Sequence, residues 1–227
     1  LVGEWKDLSG HSHHVTQATD NKKPLLINNS GKPYLSFDGT NDSLEADLSG
    51  HILDDPTGEN VTIFTVVKPK QTSGEGYILS TGGQTNSAVG YAFGSQGWSI
   101  FKDLNGGNTI EISESFQTNQ THLVTHSYKT SFNEYEVLVN GSLVTDLGIT
   151  YGSASNGHHL LTIGRPNNGN SYYGNFDIAE VIVISSTDSQ KIIGIQYYLS
   201  KKWGLTSNVD SDDDDVFDIV DETPAGQ

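Results

Sequence analysis

The dipeptide Asn140-Gly141, set between the runs EYEVLV and SLVTDL, is the strongest single constraint on how this chain folds. Both central residues of a two-residue hairpin turn need positive φ, which Gly adopts freely and Asn more readily than most, so an antiparallel strand is predicted on each side. The same grammar runs along the chain. Residues 61–67, 76–80, 90–94, 98–102, 122–128, 135–139, 160–164 and 176–184 are short runs rich in Val, Ile, Phe, Tyr and Thr, bounded by Gly, Asn and Ser. That is the pattern of strands. Helical spacing enters only at the end, where Ile192, Ile193, Gln196, Leu199 and Trp203 recur at helical intervals. Asp188 or Ser189 is the expected N-cap, and Gly204 sits where the helix should stop. No internal repeat of fixed period is present. An antiparallel sandwich closed by one short amphipathic helix is the economical reading.

Charge narrows the partners. There are 28 Asp and Glu against 12 Lys and Arg, a formal net charge of -16. Nucleic acid and anionic membrane surfaces are poor partners for such a chain, because phosphate contacts need clustered Lys and Arg. The acids Asp210, Asp212, Asp213, Asp214, Asp215, Asp218, Asp221 and Glu222 lie between Ser207 and Gln227 with no base among them, so half of the net charge is a terminal tail. The absence of cysteine excludes disulfides and zinc-thiolate sites. No apolar run approaches the roughly 20 residues that span a bilayer, so no membrane insertion is expected. With no methionine and no leader at its start, the sequence reads as a mature fragment of a longer protein.

The tail carries the most definite chemistry. Asp210-Ser-Asp212-Asp-Asp214-Asp-Val-Phe-Asp218-Ile-Val-Asp221 puts acids at positions 1, 3, 5, 9 and 12 of a twelve-residue frame. Calcium takes several oxygen ligands, and alternating Asp residues on a tight loop can converge carboxylates on one ion. Asp210, Asp212, Asp214, Asp218 and Asp221 are therefore the candidate calcium ligands. The run is similar to a thrombospondin type 3 calcium repeat, and Thr223-Pro224-Ala-Gly226 resembles what trails such repeats. It departs at Asp215, where the repeat has Gly for its sharp turn, although Asp tolerates positive φ better than most residues. The competing reading is a solvated acidic linker.

The rest of the chain resembles the bacterial laminin G-like, concanavalin A-like family. The segments that carry the resemblance are WKDLSGHSHHVTQ at 5–17, KPYLSFDGTNDSL at 32–44, VTIFTVVKP at 61–69, HLVTHSY at 122–128, LTIGRP at 161–166, DIAEVIVI at 177–184 and YLSKKWGL at 198–205, in the family's order. It implies an all-β, two-sheet antiparallel jelly-roll sandwich over residues 1–206, with residues 207–227 as an acidic, calcium-repeat-like linker. It further implies a non-catalytic module of a large secreted or cell-surface protein. This architecture hosts lectins, peptide binders and glycosidases alike, so function must come from a site.

Catalysis finds little support in the residues. Glycosidases on this fold use E-x-D-x-x-E, and the nearest run is Asn175-Phe-Asp177-Ile-Ala-Glu180, with Asn at the first position. On a strand Asp177 and Glu180 point to opposite faces, and so do Glu111 and Glu114. The chain is read as a non-enzyme. His11, His13 and His14 fit a solvated loop better than a metal site, His122 and His126 a hydrogen-bonded structural role, and Asp38 and Asp42 a turn cap or, less favourably, a rim calcium site. Glycan binding needs aromatic faces for sugar C–H surfaces and planar polar groups for hydroxyls. Two segments combine them: Tyr91 to Trp98, and Arg165-Pro-Asn167-Asn168-Gly-Asn170-Ser-Tyr172-Tyr173. Tyr91, Trp98, Arg165, Asn167, Asn168, Tyr172 and Tyr173 are the candidate ligand-binding residues, while Trp5 and Trp203 are assigned to packing. The expected function is extracellular polysaccharide binding by a monomeric module, with calcium held by the tail. A calcium-dependent peptide- or protein-binding adhesion domain is the alternative.

Overall fold

The computed structural model describes residues 1–51, 53, 60–70, 76–80, 92–94, 99–103, 108–112, 117–129, 134–146, 160–166 and 171–224. The strands in chain order are β1 (Glu4–Trp5), β2 (Val15–Thr16), β3 (Leu25–Asn29), β4 (Lys32–Asp38), β5 (Leu44–Asp47), β6 (Val61–Pro69), β7 (Tyr77–Ser80), β8 (Ala92–Gly94), β9 (Ser99–Asp103), β10 (Asn108–Ile112), β11 (His122–Lys129), β12 (Glu134–Val139), β13 (Ser142–Asp146), β14 (Leu160–Ile163) and β15 (Asn175–Ile184). Helix α1 (Ser189–Trp203) follows. One sheet has the order β1-β2-β5-β14-β7-β8, the other β13-β12-β11-β6-β15-β4-β3, and β9 and β10 form a separate ladder. The fold is the all-β, two-sheet antiparallel sandwich class that the sequence leads one to expect, with a single C-terminal helix among the described residues.

The chain divides into two compact units, Leu1–Thr57 with Pro69–Asn119 and Tyr151–Asp177, and Gly58–Lys68 with Gln120–Thr150 and Ile178–Gln227. In the first, Leu35, Phe37, Leu44, Ala46, Ile78, Leu79, Ile163 and Phe176 are buried, and the rings of Phe37 and Phe176 stack at 4.6 Å between centroids. β4 buries Leu35 and Phe37 while its other positions stay partly open, the two-residue period of a half-covered strand. Six strands here, β1, β2, β3, β4, β5 and β10, lie outside the runs singled out by composition. β3 and β4 are joined through Ser30-Gly31, both at positive φ, a second two-residue hairpin turn.

In the second unit every residue from Val61 to Val67 is buried, as a strand covered on both faces should be. Val66 faces Leu123 and Ile63 faces His126 across the β6–β11 ladder. The hairpin at Asn140-Gly141 is present, with φ of 54° and 91°. Asn140 does more than turn the chain: its side-chain oxygen accepts from Leu123 N at 3.0 Å and its amide lies 3.3 Å from His122 Nδ1. Asp188 caps α1 through Lys191 N at 3.0 Å, and Gly204 ends it in the left-handed conformation. Ile192, Gln196, Leu199 and Trp203 are its buried face.

The acidic tail folds back onto this same unit. Val209 is fully buried, and Asp210 N donates to Asn140 O at 3.0 Å, which fastens the tail to the hairpin turn. Asp218 N donates to Val209 O and Ile219 N to Thr206 O, each at 2.9 Å. The tail is therefore packed structure along part of its length.

Candidate functional site

Two regions hold candidate site residues. The first is the connection from β14 to β15. Gly164 N donates to Ile78 O, Gly174 N donates to Gly164 O, both at 2.9 Å, and Tyr77 N donates to Tyr172 O at 3.0 Å. Tyr173 adds an isolated bridge to Tyr77. These bonds tie both ends of the loop to β7. Tyr172 is 44% exposed and its backbone has φ of 60°, a conformation in which a bulky side chain is a genuine outlier. Such strain persists only where surrounding bonds over-determine it.

Arg165 is placed differently from an exposed ligand-contacting side chain. Its side chain is 14% exposed, Nη2 pairs with Glu45 Oε1, and Nη1 donates to Pro166 O at 2.8 Å. Its own carbonyl accepts from Thr162 Oγ1 at 2.8 Å. The guanidinium thus fastens the start of the loop to β5. Tyr91, Trp98, Asn167 and Asn168 lie outside the described residues.

The second region is the tail. Among the described residues, Asp210, Asp212 and Asp214 form the only group of three or more metal-ligating side chains whose donor atoms all lie within 4.8 Å of one another. These are the first three positions of the expected frame, and such a cluster can hold a metal ion. Asp210 is buried, and its two oxygens accept from Asp214 N at 3.2 Å and Asp215 N at 2.8 Å. Asp215 stands at φ of 70°, so the residue that departs from the repeat's glycine still makes the turn, and Asp213 is at 60°. Asp212 Oδ1 and Asp221 Oδ2 are buried oxygens without a hydrogen-bond partner. Burial, followed by the charges of Asp214, Asp221 and Asp210, pushes the Asp212 carboxyl up from its ordinary pKa. Burial and then Asp210 and Asp215 push Asp213 up as well. Three carboxylates, buried unbonded oxygens and mutual repulsion are the features a hard cation would satisfy.

Asp218, the fourth position of the frame, is used otherwise. Asp218 accepts from Ser211 N and Ser211 Oγ, both at 2.9 Å, and from Ser200 Oγ on α1. Its carboxylate pins the tail to the helix, and it is not part of the three-acid group. Asp221 accepts from Thr223 N at 2.8 Å, and its charge is felt by Asp212. A spacing pattern cannot distinguish a carboxylate serving serines from one serving a metal. The nearby Ser200 and Ser211 are the residues that sequence reasoning missed.

Several of the remaining candidates have partners within the chain. Asp177 pairs with Lys70 Nζ at 2.5 Å, while Glu180 accepts from Trp203 Nε1 at 2.6 Å and Lys202 Nζ at 2.8 Å. Each carboxylate therefore has its own partners. Asp38 Oδ1 caps its turn by accepting from Thr40 N at 2.8 Å and Asn41 N at 3.2 Å. In the HSHH segment Asp7 organises the loop by accepting from Ser9 N, Ser9 Oγ and His13 N. His122 and His126 are both buried. Trp203 is buried and Trp5 half-buried. No helix among the described residues is long and apolar enough to cross a membrane.

No protein-family model matches the chain, and no curated protein matches it. Solved structures do. The chain is similar to the botulinum neurotoxin serotype G binding domain, with a TM-score of 0.65, 14% identity, and coverage of 86% of this chain and 48% of that one. It is also similar to a botulinum neurotoxin type C structure described as entering cells dependent on two ganglioside molecules (TM-score 0.60, 13% identity, 87% of this chain and 51% of that one). A third is the serotype D ligand-binding domain in complex with N-acetylneuraminic acid (TM-score 0.58, 16% identity, 80% and 44%). The chain thus spans about half the length of these structures. At such identities the likeness is one of fold.

Proposed function

We propose that this chain is a non-catalytic carbohydrate-binding module of an extracellular protein, secreted or at a cell surface, acting as a monomeric unit within a larger multidomain chain. The reading rests chiefly on Tyr172, a bulky aromatic held at positive φ and presented to solvent by a loop tied down at both ends. A fixed aromatic face loses little entropy on binding and offers a platform for the C–H face of a sugar. Tyr173 and the amides of Asn167 and Asn168 supply hydroxyl partners, Arg165 holds the loop, and Tyr91 and Trp98 extend the aromatic set. Structural neighbours described with gangliosides and with N-acetylneuraminic acid support a glycan as the class of ligand.

Residues 1–206 carry this module in the proposal, resembling laminin G-like domains, and residues 207–227 carry a calcium site. Asp210, Asp212 and Asp214 would hold the ion, with Asp221 close enough to contribute charge. Calcium there neutralises repelling carboxylates and strengthens the tail's attachment. Asp218 belongs to the frame through its serine bonds. A calcium-dependent protein-binding role is the second reading, favoured by the exposure of Val216, Phe217, Ile219 and Val220 beside the acidic loop.

The deciding experiment is a glycan array with insoluble-polysaccharide pull-down, each with calcium and with chelator. Binding that Tyr172→Ala weakens about tenfold or more supports the module. A blank array in calcium overturns it, and a peptide ligand lost in chelator would favour the second reading.

A further inference from the structure

We infer that residues 216–220 of the tail are a docking surface for a basic, apolar polypeptide segment; the inference rests on the protein-binding reading of the tail. In the run VFDIV at 216–220 the usual burial is inverted. Asp218 is 6% exposed, whereas Val216, Phe217, Ile219 and Val220 are 37, 51, 61 and 71% exposed. A carboxylate is rarely covered unless it is paired, and apolar side chains left in water make a contact surface only where they stand together. Both conditions are met here. Asp218 accepts from Ser211 N, Ser211 Oγ and Ser200 Oγ, so the buried acid is the anchor. Val220 N and Asp221 N both donate to Phe217 O, at 2.9 and 3.1 Å, and Ile219 N donates to Thr206 O at 2.9 Å. A tight turn thus holds the apolar side chains outside, and a surface fixed by its own backbone loses little freedom when a partner covers it.

Charge selects the partner. Asp213 and Asp215 precede the turn and Glu222 follows it; all three are exposed. None of them belongs to the group formed by Asp210, Asp212 and Asp214, so an ion held there leaves their charge in place. No base lies between Ser207 and Gln227. The lysines that follow Ser200 on α1 are engaged elsewhere, Lys202 Nζ with Glu180 at 2.8 Å and Lys201 Nζ with the Tyr197 hydroxyl at 3.0 Å. An apolar centre with an acidic rim is complementary to a segment that carries large apolar side chains together with Lys or Arg. The same rim repels anionic lipid and nucleic-acid phosphate.

The test titrates the whole chain, in calcium and at low and high salt, with synthetic peptides: an amphipathic one of Lys and Leu, its counterpart of Glu and Leu, and one of Lys and Ser. Fluorescence anisotropy reads binding to the unaltered chain, to Phe217→Ser with Ile219→Ser, and to Asp213→Asn with Glu222→Gln, all at exposed positions. The Lys and Leu peptide should bind at least about tenfold more tightly than the other two and lose about tenfold in the serine variant. Its affinity should fall as salt rises, and less steeply in the amide variant. Tighter binding of the Glu and Leu peptide, lost in the serine variant, would overturn this inference and leave the protein-binding reading standing. Equal binding of the Lys and Ser peptide, or indifference to the serine variant, would show charge attraction alone and overturn the inference as well. Failure of every peptide to bind would overturn both. Self-association in sedimentation, or capture by neutral phosphatidylcholine vesicles, lost in the serine variant, would assign the surface to a second copy or to lipid and overturn the inference.

Discussion

The β14–β15 loop and the acidic tail solve the same local problem in opposite ways. Each is closed by backbone hydrogen bonds, and each forces non-glycine residues to positive φ: Tyr172 in the loop, Asp213 and Asp215 in the tail. In the loop the local charges cancel, since Arg165 and Glu45 neutralise one another. In the tail they accumulate, because Asp210, Asp212 and Asp214 converge with no base between Ser207 and Gln227. The Arg165–Glu45 pair calls for no further charge, whereas the tail holds a repulsion that a cation would relieve. A strained backbone is thus compatible with either charge economy, and the charges indicate which region responds to its solution conditions.

The contrast can be broken most forcefully at Asp218. Replacing it with Ala strips the acceptor from Ser211 N, Ser211 Oγ and Ser200 Oγ in a buried setting, at a cost of roughly 3–5 kcal/mol. Urea denaturation and limited proteolysis of the tail would report it, and an unchanged midpoint would mean the tail is not part of the cooperative unit. Calcium comes next. At a free concentration about 100 times its dissociation constant, the ion should add about 2.7 kcal/mol, read as a rise in Tm. Asp212→Asn should abolish that rise while stabilising the metal-free chain by less than about 1 kcal/mol. A calcium response surviving Asp212→Asn would move the site elsewhere.

Acid titration separates the terms by sign. Asp212 and Asp213 have folded pKa values raised by burial and like charge. Their stabilising contribution is full below the ordinary carboxylate range and is lost as pH rises through their folded pKa values. His126 behaves oppositely, since burial pushes its pKa down to about 3 from 6.5. Its contribution is full above 6.5 and is lost as pH falls toward 3, with a slope of about 1.4 kcal/mol per pH unit. Calcium should erase the first dependence and leave the second, which denaturation across pH with and without chelator would resolve. Smallest are the glycine substitutions. Tyr172→Gly should raise stability by at most about 1 kcal/mol while losing glycan affinity, and Asp215→Gly should gain only a few tenths, because Asp tolerates the left-handed region better. Equal gains at both positions would show that the aromatic loop carries no special strain.

What the sequence made legible follows the same physics. Asn140-Gly141, Asp188 and Gly204 were readable because turns and caps are local, and the residues that meet their dihedral demands are few. Ser30-Gly31 is the same kind of turn in less explicit form, and the strand before it exposes both Leu25 and Leu26, so no alternation marks β3. In the tail, spacing predicted that Asp210, Asp212 and Asp214 converge, and they do. The second life of Asp218 depends on Ser200, eighteen residues away on α1, and the anchoring of Asp210 depends on the β12–β13 turn. Contacts at such separation leave no periodic trace. Likewise nothing in the residue order marked Glu45 as the partner of Arg165, a pairing that exists only because β5 lies beside β14.

Gly141 shows how these constraints compound. A Cβ built there would fall 1.5 Å from the backbone oxygen of Asp210. The φ of 91° already disfavours any side chain at this position; with the tail seated, a Cβ would also collide with the backbone that fastens it. One glycine thus answers two demands at once, the reversal of a hairpin and the seating of a segment some seventy residues further along the chain.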